Sequence, residues 1–256
     1  MTMKLVSSIA LVLGAGSMLA ACDIQQPTAG CIVQDSASWA ATYELKANQP
    51  TCTTPAPVGE LVGVYKFTTP EKENSTLLTL RPAGLASRGG RDTTTEPSAQ
   101  TASGALAEEP DAEFFCSAPT MSEARVDTRA STSGDKTQIS YTFSNVKVYS
   151  NPRAPGTQLK ADLVYNRDGC PAEYTMNAMW PARGCDVAEL EKPEADRDPA
   201  ALCGSGSLIN PDFKVRCETR MPNLVVRGFT PEGTPILWPG TCVLDAPVPA
   251  FIEEQK

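Results

Sequence analysis

Three successive stretches of alternating apolar and polar residues, between residues 138 and 180, constrain the fold more than any other feature of this sequence. The first alternates from Ile139 to Phe143 and then changes register near Asn145, which predicts a β-bulge. The turn-forming sequences 151–156 and 166–169 separate the three stretches. Alternating strands joined by short turns predict an antiparallel meander with one buried face.

Shorter β-rich runs lie on both sides of this meander, at 61–67, 76–81, 213–216 and 224–227. No internal repeat is evident, and 22 prolines and 18 glycines indicate many turns. The sequence therefore predicts a mainly β fold, in which an antiparallel meander forms part of a sandwich or an open barrel with long loops.

The predicted β domain occupies residues 59–250 and contains an insertion at 84–113. Leu85 and Leu106 are the only large aliphatic residues of that insertion, which otherwise contains Gly, Thr, Ser, Ala and acidic residues. A segment with so little apolar surface to bury is expected to be disordered.

Nine cysteines are the second constraint, because an exported chain with an odd number leaves one thiol unpaired. None of them forms a Cys-x-x-Cys pair, which argues against a zinc site or a thioredoxin-like redox site, and no cofactor is predicted. Neighbours along the chain suggest Cys31 with Cys52 and Cys203 with Cys217, although eight cysteines allow roughly a hundred connectivities. The cysteines predicted to form disulfides are Cys31, Cys52, Cys116, Cys170, Cys185, Cys203, Cys217 and Cys242.

The N-terminus accounts for the ninth cysteine. Met1–Lys4 carries one positive charge, and residues 5–19 are apolar but too short to span a bilayer as a helix. Leu19-Ala20-Ala21-Cys22 follows and resembles the lipobox of bacterial lipoproteins. That resemblance implies that residues 1–21 are a signal peptide, that Cys22 is lipidated, and that residues 22–58 tether the domain to a membrane. An ordinary secretory signal, with Cys22 a structural cysteine, is the alternative.

Charge and residue usage exclude several functions. The formal net charge is −8, so attraction to nucleic acid is not expected. The chain has no histidine, which excludes Ser-His-Asp and Cys-His catalysis and imidazole metal ligands. Gly204-Ser205-Gly206-Ser207 does not match the Gly-x-Ser-x-Gly nucleophile motif.

Two segments resemble lipoproteins of myxobacteria. They are the stretch from Cys203 to Cys217 and the one from Tyr174 to Cys185, which includes Trp180-Pro181-Ala182. The resemblance implies a location in the cell envelope or in outer-membrane vesicles, and it implies no enzymatic mechanism, because most of these relatives have no assigned activity.

Taken together, the sequence predicts an envelope lipoprotein, with the outer membrane favoured and the domain in the periplasm or at the cell surface. The protein is expected to contact the membrane through the lipid on Cys22. Its β domain is expected to bind a protein partner or a small ligand. The alternative is a carboxylate-dependent hydrolase or carbohydrate-active enzyme, with loop acids near Trp180 or Trp238. Core packing is the other interpretation of those two tryptophans.

Overall fold

One antiparallel sheet dominates the computed structural model, which describes residues 30–68, 76–93, 96–132 and 134–253. Within these residues the sheet runs in the order β4-β3-β2-β1-β9-β8-β7-β5, and β6 extends the edge by pairing with the other half of β7. Its strands are β1 (Ser36–Leu45), β2 (Gly59–Thr68), β3 (Thr76–Pro82), β4 (Ala102–Leu106), β5 (Phe115–Thr120), β6 (Ala124–Thr128), β7 (Thr137–Asn151), β8 (Ala154–Arg167) and β9 (Cys170–Met179).

The two ends of this sheet meet, so that it nearly closes into a barrel. The Ala107 amide beyond β4 donates to the Ser117 carbonyl of β5 at 2.9 Å, and the Ser122 amide donates to the Ser103 carbonyl of β4 at 2.8 Å. Gly104 permits this approach, since a Cβ atom there would lie 2.3 Å from the Thr120 carbonyl oxygen. The mainly β prediction is confirmed, and the barrel is the correct one of its two alternatives.

The meander predicted from alternation is present as β7, β8 and β9. Its register shifts between Ser144 and Lys147, where Asn145 has a φ of 50°, so the predicted bulge is confirmed. Asp168 and Gly169 form the β8–β9 turn with φ values of 53° and 87°, a region that Gly and Asp tolerate better than most residues.

Part of the segment expected to be a tether is a central strand. β1 pairs with β2 on one side and β9 on the other, and Trp39 within it is fully buried. The tether predicted for residues 22–58 is therefore wrong for β1. The Ala-rich sequence of this strand does not show that another strand pairs with it on each side. The predicted signal peptide and Cys22 lie outside the described residues.

The predicted disordered insertion at 84–113 also differs from the structure. Apart from residues 94 and 95, which are not described, it forms the end of helix α1 (Ala83–Ala86), 3-10 turns at Gly89–Arg91 and Pro97–Gln100, and β4. Leu85 and Leu106 are both buried in the barrel core. The prediction was wrong because small side chains in β4 need little apolar surface of their own when a preformed sheet covers them.

Residues after β9 form a C-terminal lobe that shares a small core with one end of the barrel, where Phe115, Tyr149 and Met179 pack with buried residues of the lobe. A three-stranded sheet in the order β10-β14-β11 and a separate hairpin, β12-β13, make up its strands. 3-10 turns lie at Val187–Glu191, Glu194–Asp196 and Pro199–Leu202. The strand bounds are β10 (Gly184–Cys185), β11 (Val215–Glu218), β12 (Val226–Phe229), β13 (Pro235–Leu237) and β14 (Gly240–Leu244).

Every residue of β14 is buried. In the hairpin strand before it, by contrast, Ile236 and Leu237 are exposed. Beyond β14 the chain lies against the barrel, where the Asn177 side chain accepts from the Val248 amide at 3.1 Å and the Gln158 side chain accepts from the Ala250 amide at 2.8 Å. None of the helices in the described ranges has the length and apolarity to span a membrane.

Candidate functional site

Four disulfides fasten the two parts of the protein, as expected from eight cysteines, but both suggested pairings are wrong. Cys31 bonds Cys116 and Cys52 bonds Cys170, with sequence separations of 85 and 118 residues. In the C-terminal lobe, Cys185 bonds Cys217 and Cys203 bonds Cys242. Sequence neighbours were the wrong guide because the sheet brings strands from distant parts of the chain together.

Three cysteine sulfurs in the C-terminal lobe lie at distances that would suit a metal ion. The Sγ atoms of Cys185, Cys203 and Cys242 are all within 4.8 Å of one another. They belong to two disulfides that pack together beside Gly240, at which a Cβ atom would lie 2.9 Å from the Cys217 sulfur. A cysteine binds a metal ion as a thiolate, whereas these three sulfurs are joined in disulfides. The short distances between them therefore reflect the contact between two disulfides.

A carboxylate lies inside the barrel, where the sequence analysis had predicted none. Glu60 is the second residue of β2. Its Oε1 accepts hydrogen bonds from the hydroxyls of Tyr43 at 3.0 Å and Tyr141 at 2.7 Å, while Oε2 accepts from the Gly84 amide. Burial raises the pKa of Glu60, and the three hydrogen bonds partly oppose that rise. The site is filled by packed aromatic rings, since Tyr141 contacts Tyr165 with ring centroids 5.1 Å apart.

A cleft lies outside the barrel, between β1, β9 and the C-terminal lobe. It encloses about 510 Å³, within the range of about 300–1,000 Å³ typical of small-molecule sites. Its polar lining residues are Thr42, Glu44, Asn177, Arg216, Arg220 and Asp245.

Two arginines in this cleft are held by one buried acid. Glu218, with a side chain only 4% exposed, accepts from Arg216 Nη1 at 2.7 Å and from Arg220 Nε and Nη2 at 2.9 and 2.8 Å. These hydrogen bonds, of which that from Arg220 is the strongest influence, lower the pKa of Glu218 to about 2. Glu218 is thus ionised at neutral pH and fixes both guanidinium groups at the cleft wall.

The arginines keep donors that Glu218 does not use. Arg216 also contacts Asp245, from Nε to Oδ1 at 3.3 Å. A guanidinium carries five N–H donors, and the contacts with Glu218 and Asp245 among the described residues leave Nη2 of Arg216 and Nη1 of Arg220 able to donate to a ligand. Such paired arginines suit carboxylate or phosphate groups, while Glu44 and Asp245 at the same cleft restrict how much negative charge it can accept.

Sequence analysis missed both Glu60 and the arginine pair. The signal for the pair was Arg216 and Glu218, two residues apart on one strand and therefore on the same face. Trp180 and Trp238, named there as sugar-binding candidates, do not line the cleft. Trp180 is half-buried against the barrel core, and Trp238 lines a smaller pocket of about 200 Å³ with Arg227 stacked 4.6 Å from its ring.

These features define a class of protein: an antiparallel β-barrel joined to a smaller β lobe, each fastened by two disulfides. The family model MlpA matches residues 37–181, which span the barrel from β1 to just past β9. The Myxococcus xanthus protein named "Putative lipoprotein MlpA" is 44% identical over 223 residues, which cover 85% of this chain and 91% of that protein. The chain therefore belongs to the MlpA family. No solved structure shows a significant match.

Proposed function

We propose that this protein is a lipid-anchored envelope protein that binds a small ligand bearing a carboxylate or phosphate group in the cleft beside Arg216 and Arg220. The arginine pair fixed by Glu218 is the observation that carries the binding proposal. The lipobox-like sequence ending at Cys22, the odd number of cysteines and the name of the Myxococcus relative support the anchor.

The cysteine pairing strengthens the anchor proposal. All eight cysteines other than Cys22 are consumed in disulfides, so Cys22 has no cysteine partner within the chain. Acyl chains contribute about 0.8 kcal/mol per buried methylene, and two or three chains on one cysteine form a stable anchor. The outer membrane is the proposed location, with the domain in the periplasm or at the cell surface.

Replacing Cys22→Ser is expected to abolish lipidation and release the protein from the membrane, because the thiol is the proposed attachment point. Metabolic labelling with palmitate, mass spectrometry and membrane fractionation would measure this. The variant Cys22→Ala should behave identically. Labelled palmitate on either variant would contradict the anchor proposal.

Replacing Arg220→Gln is expected to weaken ligand binding by about tenfold or more, since a charge-assisted hydrogen bond contributes about 1.5–3 kcal/mol. Calorimetric titration of the lipidated protein in detergent with inorganic phosphate and with small dicarboxylates would measure the affinity. Arg125→Gln is the matched control, because Arg125 is an exposed arginine on β6 paired only weakly with Glu123 at 4.0 Å.

Thermal unfolding of both variants would separate lost binding from lost folding, because Arg220 also pairs with the buried Glu218. If neither phosphate nor any dicarboxylate binds the unaltered protein at millimolar concentration, the ligand proposal is wrong. Equal affinities for Arg220→Gln and Arg125→Gln would place the binding site elsewhere.

A further inference from the structure

Three exposed apolar side chains lie around the turn between β7 and β8. Ile32, Phe114 and Ile252 are 44%, 44% and 56% exposed. We call these three residues, together with Arg153 in the turn, the tether-side rim. Exposed large apolar residues that cluster mark surfaces that contact another molecule or a membrane.

Hydrogen bonds bring the members of the rim together. Ser150 of β7 donates from its amide to the Phe114 carbonyl at 2.8 Å and accepts from the Ile32 amide at 3.0 Å through its hydroxyl. On the other side of the turn, Arg153 pairs with Asp212 at 3.1 Å, and the Ile252 amide donates to the Asp212 carbonyl at 2.8 Å. The rim is therefore built from four distant parts of the chain.

Phe114 is held in an unusual backbone conformation. Its φ of 65° lies in the left-handed region, which bulky residues rarely adopt. The preceding turn supports it, because Asp111 Oδ1 accepts from the Glu113 and Phe115 amides at 3.1 and 2.7 Å. This arrangement leaves Phe115 buried while its neighbour Phe114 is exposed.

The rim is also the point at which the described chain begins. Cys31 directly precedes Ile32, and its disulfide with Cys116 fixes it to β5. Its amide also donates to the carbonyl of Glu108, which follows β4, at 2.7 Å. Only residues 23–29 separate Cys22 from Gly30, and a fully extended chain of that length reaches at most about 30 Å. Lipidation of Cys22 would thus keep the rim close to the bilayer.

We infer that the tether-side rim inserts Ile32, Phe114 and Ile252 into the interfacial layer of a zwitterionic bilayer. This inference rests on the proposed lipid anchor. Zwitterionic headgroups fit better than anionic ones because Glu108, Asp111 and Glu113 lie beside Phe114 and the whole chain carries a formal charge of −8.

A second exposed apolar group provides a control. Val226, Phe229 and Ile236 lie on the β12–β13 hairpin of the C-terminal lobe, and Phe229 is 67% exposed. This hairpin also exposes large apolar side chains, but it belongs to the C-terminal lobe, whereas the rim adjoins Cys31. Membrane insertion that follows from tethering should therefore involve Phe114 and leave Phe229 in water.

Fluorescence quenching of the lipidated protein, reconstituted in vesicles, would test the inference. Phe114→Trp and Phe229→Trp would each be compared with the unaltered protein in phosphatidylcholine vesicles with and without brominated acyl chains. We expect the fluorescence added by the Phe114→Trp substitution to be lost in brominated vesicles, while that added by Phe229→Trp is retained. Adding anionic phosphatidylglycerol should weaken the quenching of the Phe114→Trp protein.

The outcomes separate the two proposals. If mass spectrometry finds no acyl groups on Cys22, the anchor fails and the rim inference fails with it. If acyl groups are present but brominated lipid does not quench the Phe114→Trp protein, or quenches both variants equally, only the rim inference is overturned. Quenching that increases with phosphatidylglycerol would overturn its preference for zwitterionic lipid. Circular dichroism of both variants would show that each substitution preserves the fold.

Discussion

Replacing Cys52 and Cys170 together by serine is expected to lower the free energy of unfolding by about 2–5 kcal/mol. This disulfide closes the longest loop of the four, with a sequence separation of 118, and in the chain-entropy account its loss gives the unfolded chain the most new freedom. Both cysteines are only half-buried, so little packing is lost with the bond. Chemical denaturation under oxidising conditions would measure the change.

The same measurement in the presence of a dithiol reductant serves as the control. Reduction removes the Cys52–Cys170 bond from the unaltered protein as well, so the difference between the two proteins should disappear. If the variant is as stable as the unaltered protein while all disulfides are intact, the loop between β1 and β2 is held by other contacts and the disulfide adds nothing.

Replacing Glu60→Leu is expected to destabilise the barrel by about 3 kcal/mol or more, because it leaves three buried donors without an acceptor at about 1–3 kcal/mol each. The donors are the hydroxyls of Tyr43 and Tyr141 and the amide of Gly84. Glu44→Leu is the matched control, since Glu44 lies on β1 with its side chain exposed. Denaturation midpoints of the two variants would measure the difference.

Adding Tyr43→Phe and Tyr141→Phe to Glu60→Leu should recover part of the lost stability, because it removes the two unsatisfied hydroxyls.

The pH dependence of the free energy of unfolding gives a second measurement of the role of Glu60. The pKa of Glu60 is raised in the folded protein, so folding takes up a proton between the unfolded and folded pKa values, and stability falls as pH rises through that window. Glu60→Leu should remove this slope, and an unchanged slope would assign it to another group.

The meander was predictable because its period of two continues over long stretches on strands with one buried face. β4 was not predictable, because Ala102, Gly104 and Ala105 have little apolar surface. Their position depends on pairing with β3 and on the close approach of β5. β1 was assigned to the tether, because nothing in its sequence reveals that it has β2 and β9 as neighbours.

The candidate site depended even more on tertiary structure. Arg216 and Glu218 share one face of β11, but Arg220 reaches Glu218 only after a turn, and Asp245 comes from beyond β14. The number of disulfides followed from counting cysteines, whereas their pairing depends on the order of strands in the barrel. Sequence patterns thus indicated which elements form, and contacts between distant elements determined where the chemistry lies.

The Cys31–Cys116 disulfide has a mechanical consequence for a tethered protein. A pull on the proposed N-terminal anchor reaches Cys31 and passes through its disulfide bond directly into β5. β5 lies at one end of the strand order, whereas β1 lies in its middle. The backbone hydrogen bonds that join β1 to β2 and β9 then lie off the line of force. If Cys22 carries the proposed anchor, drag on the domain would load the Cys31–Cys116 bond while the first strand of the barrel stays in place.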